Sequence, residues 1–100
     1  MIVTFDAELW IWEARRDESW TFVSLPDDAA DDIRELTAGL ARGFGSVRVR
    51  ARIGPSTWTT SIFPDRKRGT YVLPVKRAIR AARSLEAGDT TTVEVELIDR

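Results

Sequence analysis

No cysteine and no histidine occur in the 100 residues. Zinc sites built from those ligands, Ser-His-Asp triads and cysteine nucleophiles are therefore excluded, and no disulfide braces the fold. Tyrosine occurs once and lysine twice, so chemistry would fall to carboxylates, hydroxyls, Tyr71 or the two lysines. No window approaches the ~18 apolar residues of a membrane span. The opening MIVTFD also lacks the basic stretch, apolar run and small-residue cleavage site of a secretory leader. The expected location is the cytoplasm, with no membrane partner. A charge excess of either sign is missing too: 15 basic residues against 16 acidic leave −1, a total that by itself selects neither nucleic acid nor an anionic membrane.

What is present describes one globular domain, residues 1–100. A chain 43% hydrophobic and 31% charged is too apolar for disorder, and at this length about 65% of the extended surface is buried on folding without staples. The near-neutral total conceals a pattern. Residues 1–41 carry ten acids and three bases, residues 42–83 one acid and eleven bases, and residues 84–100 five acids and one base. Two readings are open: basic strands pairing with acidic neighbours across a sheet, or a one-sided positive surface for an anionic partner.

Residues 2–12 alternate, with Val3, Phe5, Ala7, Leu9 and Ile11 on one face and Thr4, Asp6, Glu8, Trp10 and Trp12 on the other, the period of a half-buried strand. Residues 20–25 (WTFVSL) read as its hairpin partner, across the polar segment 13–19. Pro26-Asp27-Asp28 opens a helix whose inner stripe would be Ala29, Ile33, Leu36, Thr37 and Leu40, ended by Gly39 or Gly43. VRVRARI (47–53) is the clearest strand, directing Arg48, Arg50 and Arg52 outward. Two more strands are expected at residues 57–63 and 70–73, separated by a loop at 64–69. After Pro74 comes a basic helix with Val75, Ala78, Ile79 and Ala82 inside and Lys76, Arg77, Arg80 and Arg83 outside. LEAGD (85–89) then turns the chain into a final strand at 90–98.

The order is strand-strand-helix-strand, twice, and punctuation repeats with it: Leu25-Pro26 and Leu73-Pro74 lead into the helices, and Gly45 and Gly88 precede the closing strands. An internal repeat of about 1–53 and 57–98 is expected to bury its strand faces between the halves. PVKRAIRAARSLEAGDTTTVEVE (74–96) resembles the Pro-helix-Leu-x-x-Gly-Asp-strand half of AbrB/MazE-type swapped-hairpin proteins. Through WTFVSLP, VRVRARIG, TSIFP, GTYVLPVK and LEAGD, nearly the whole chain resembles the small bacterial domain-of-unknown-function 1905 family. That resemblance implies a mainly β fold with two helices: a double-split closed β-barrel of two duplicated strand-strand-helix-strand units, pseudo-twofold, capped by its helices. It implies no activity.

Three functions compete. A non-enzymatic binding module with an unknown ligand would use tryptophans flanked by polar residues, Trp10, Trp12 and Trp58. A DNA- or RNA-binding regulator would use Arg48, Arg50 and Arg52, about 6.8 Å apart on one strand face, extended by Arg66, Lys67 and Arg68. An enzyme would have to rely on Ser61, Tyr71 and Lys76; Asp27, Asp28, Asp31 and Asp32 are better explained as acidic first turns of a helix than as a metal site. Lacking the usual catalytic residue types, the chain is expected to bind rather than catalyse. No catalytic residue, metal or cofactor is assigned. The expected assembly is a monomer or weak homodimer, and an anionic partner such as nucleic acid stays open.

Overall fold

The alternating and proline-led segments become seven strands and two helices in the computed structural model, which describes residues 1–12, 20–38 and 45–98. In chain order these are β1 (Ile2–Glu8), β2 (Trp10–Ile11), β3 (Thr21–Ser24), α1 (Asp27–Thr37), β4 (Val47–Ile53), β5 (Ser56–Asp65), β6 (Thr70–Pro74), α2 (Arg77–Arg83) and β7 (Thr90–Leu97). Among the described residues all strands join one sheet, in the order β1-β7-β4-β5-β6-β3-β2. Every pairing is antiparallel, and the sheet curls into a half-barrel. No helix among these residues is long and apolar enough to cross a membrane.

β4 shows why the sheet has an inside. Val47, Val49, Ala51 and Ile53 are buried and Arg48, Arg50 and Arg52 exposed, because successive side chains must leave opposite faces of a strand. Val93 and Val95 of β7, Phe5 of β1 and Trp58 and Ile62 of β5 share the inner face, closed by Ile33 of α1 and Ile79 of α2.

Residues 2–12 are not one strand. β1 pairs with β7 from Ile2↔Glu96 to Glu8↔Thr90, whereas β2 pairs with β3, so the expected hairpin holds only for the second piece. The break is at Leu9, whose side chain is fully buried. Its N–H donates to the Asp89 carbonyl at 2.9 Å and its carbonyl accepts from the Gly88 N–H at 2.8 Å. A chain following a strongly curled sheet must exchange one neighbour for another, and the LEAGD turn satisfies the backbone groups stranded by the exchange. β5 makes the same exchange without a break, leaving β4 after Ile62 and joining β6 at Phe63. It therefore runs on through Pro64 and Asp65, which the sequence places in a loop.

The helices depart in phase. α1 buries Ala29, Ala30 and Ile33, but Leu36 is 56% exposed, because burial ends with the second turn. Thr37 is half-buried, while Gly39, Leu40 and Gly43 lie outside the described residues. α2 starts at Arg77, leaving Val75 in extended chain and rotating the buried stripe. Ile79 and Arg80 are buried and Ala78 and Ala82 exposed. The stem of Arg80 packs inward while its Nε donates to the Val75 carbonyl at 3.0 Å, which lets a cation occupy an inner position.

Candidate functional site

Three consecutive residues of β3, Thr21, Phe22 and Val23, are buried; Val23 belongs to the core, and Phe22, on the opposite side of the strand, is covered by aromatic side chains. Trp10, its cross-strand partner, stacks on it with ring centroids 5.2 Å apart and planes at 24°. Trp12 meets Phe22 edge-on at 6.0 Å and Trp20 at 5.6 Å. The backbone N–H of Trp12 donates to the Trp20 carbonyl at 3.0 Å. Trp10 Nε1 donates to Ser24 Oγ at 3.0 Å, which satisfies the indole's donor and sets its orientation.

Over this aromatic layer opens a cavity of about 840 Å³. Phe63 and Pro64 of β5, Val72 and Pro74 of β6, and the β5–β6 turn form its other wall, and Lys76 stands at the start of α2. Trp12 is 45% exposed, Trp20 36% and Phe63 42%.

Asp65 shapes the turn. Its Oδ1 accepts the backbone N–H groups of Lys67 (3.0 Å) and Arg68 (3.3 Å), its Oδ2 accepts from the Arg68 guanidinium at 2.9 Å, and its carbonyl accepts the Gly69 N–H at 2.8 Å. Gly69 has φ +73°, a conformation open to glycine at little cost. From behind, Arg34 of α1 donates to the Gly69 carbonyl at 2.8 Å. The turn lays the Arg68 guanidinium over Trp10, 3.7 Å from the ring centroid, so the indole that stacks on Phe22 also holds a cation against its ring. Partial burial pushes the Asp65 carboxyl up, but the hydrogen bonds and charge of Arg68 and the Lys67 N–H outweigh it and hold the group below its ordinary value.

Trp10 and Trp12 thus come together in the cleft with Arg66, Lys67 and Arg68. Trp58 does not: it is 7% exposed and lies in the core, opposite Ala51 on the inner side of the sheet. The row Arg48, Arg50 and Arg52 stands on the outer face, where Arg50 pairs with Glu96 at 2.9 Å and Arg52 with Glu94 at 2.8 Å. Glu94 raises the Arg52 pKa through its hydrogen bond and charge. Arg48 makes no ion pair among the described residues. Ser61, Tyr71 and Lys76 are not assembled: Tyr71 is in the core, Lys76 is exposed at the cleft, and Ser61 lies opposite Arg48. Asp27, Asp28, Asp31 and Asp32 are exposed on α1, and Asp31 is bound to Arg34. Among the described residues no group of three or more acidic side chains is placed to hold a metal ion.

Sequence reasoning missed Trp20, Phe22, Phe63 and Asp65. A signal existed for Asp65, since Pro-Asp followed by glycine four residues on is turn chemistry in which the carboxylate binds nearby backbone N–H groups. None existed for the convergence of residues from four strands.

A family model, Domain of unknown function (DUF1905), matches residues 5–95. The chain belongs to the DUF1905 family. The match runs from Phe5 of the first strand to Val95 of the last, so both walls of the cleft fall within the DUF1905 domain. A search of curated proteins finds no match.

Proposed function

We propose that this DUF1905 domain is a non-enzymatic binding module whose ligand occupies the aromatic cleft. One observation carries the reading: Trp10, Trp12, Trp20 and Phe22 gather into a single concave wall of a cavity of about 840 Å³, within the size range of small-molecule sites. Large aromatics exposed singly need no explanation, whereas a contiguous, concave and partly exposed set of them marks a recognition surface.

The finer architecture belongs to the same proposal. We read the chain as one domain of two strand-strand-helix-strand units, related as in a double-split barrel. Partner exchange supports this: β1 then β2 pass from β7 to β3 as β5 passes from β4 to β6. Nucleic-acid binding is the weaker reading, because Glu96 and Glu94 neutralise two of the three arginines on β4.

Tryptophan emission titrated with a library of cellular small molecules tests the proposal. A saturable shift from at least one compound, abolished in Trp12→Ala, is expected. A flat response across the library would sink it. Trp12 is exposed enough for its truncation to leave the fold intact, which circular dichroism checks.

A further inference from the structure

Resting on that reading, we infer that the cleft selects flat aromatic molecules carrying a negative charge, a ring with a carboxylate or phosphate attached. The walls set the first half of that chemistry. The Trp10 ring already carries Phe22 and the Arg68 guanidinium against it, so it is structural. Trp12 and Trp20 keep exposed area beside it and offer indole surface to a planar group.

The β5–β6 turn sets the second half. Among the described residues four cations, Arg66, Lys67, Arg68 and Lys76, border the cavity against one carboxylate, that of Asp65. That carboxylate is already committed to Arg68. Arg66, Lys67 and Lys76 are exposed and make no ion pair among the described residues. Three cations with no ion pair among the described residues, at the mouth of an aromatic-walled cleft, raise the local concentration of anions, in a chain whose total charge is −1. A single ligand is favoured over a polymer because two of the three arginines on the outer face that would continue a phosphate track, Arg50 and Arg52, are paired with glutamates.

Calorimetric titration of the whole chain with matched probes tests this at low and high salt: indole-3-acetate against indole, adenosine monophosphate against adenosine, inorganic phosphate alone, and a ten-nucleotide single strand. The expected result is that at least one charged ring binds about tenfold or more tighter than its neutral partner and than phosphate. Which charged ring gains more over its own neutral partner distinguishes carboxylate from phosphate. The advantage should shrink at 0.5 M salt, where screening acts within about 4 Å. It should also fall toward unity in Arg66→Ala/Lys67→Ala, while Trp12→Ala weakens charged and neutral rings alike. Equal binding of charged and neutral rings would overturn the inference yet leave the binding-module reading standing. A single strand binding more than tenfold tighter than the mononucleotide would overturn it in favour of a polymer. If none of the probes binds, the inference falls, and the library titration separately decides the broader reading.

Discussion

Asp65 couples the turn to the tryptophans. One carboxylate holds two backbone N–H groups and the guanidinium that covers Trp10, so changing it should be visible in the indole's emission. Asp65→Asn keeps an acceptor for the turn but loses the ion pair, and Trp10 emission is expected to change with little loss of stability. Asp65→Ala removes the acceptor as well and should cost about 1 kcal/mol, measured by urea unfolding. The pH dependence follows from the depressed carboxyl: its stabilising contribution is complete above the unfolded value of about 4 and disappears as pH falls through the lower folded value. An acid titration of wild-type emission should therefore show a step below about pH 4 that Asp65→Asn lacks. Trp58 gives the contrast. As a core residue it should cost about 3–5 kcal/mol when truncated to alanine, whereas Trp58→Phe, if folded, should bind cleft ligands as wild type does.

At the scale of elements, the junction between β1 and β2 decides where the tryptophans go. Without the bonds from Leu9 to Gly88 and Asp89, Trp10 would have no reason to leave the line of β1 and meet Phe22. Gly88 adopts φ +96°, and a Cβ at this position would meet nothing within 4 Å, so the obstacle to substitution is conformational rather than steric. Gly88→Ala should lower stability by about 1–2 kcal/mol, read as a shifted urea midpoint with an unchanged slope. Leu9→Ala should cost about 3 kcal/mol through the cavity it leaves and, by loosening the junction, should also weaken Trp10–Phe22 packing, visible in near-ultraviolet circular dichroism.

For the whole molecule, the first strand is held by the last, with Ile2 opposite Glu96, and β4 is held by β7 as well as β5. Removing β7 would strip one neighbour from β4 and leave β1 without its strand partner. A chain shortened to residues 1–89 is therefore expected to be unfolded by circular dichroism. The full chain should unfold in one transition, coincident by circular dichroism and tryptophan emission. Because its sheet is built from distant pairings, it should refold in the millisecond-to-second range typical of such topologies.

Several features were determined by the sequence alone because they are local. Period-two alternation marked most of β1, β4 and β7 with their inner faces and most of the extent of β5, Pro26 marked the start of α1, and missing histidine and cysteine removed whole classes of chemistry. The helix phases were less legible, since a seven-residue helix such as α2 has too few turns for its stripe to be read and an arginine stem can pack like an apolar chain. Long-range pairing belonged to the tertiary structure. Arg50 and Arg52 meet their glutamates 46 and 42 residues away, which leaves only Arg48 of an apparent row of free cations without an ion pair among the described residues. Trp58 and Trp12 look alike among polar neighbours in the sequence. The curl of the sheet places one inside and leaves the other exposed at a cleft, because which side of a strand is covered depends on the strands that fold over it.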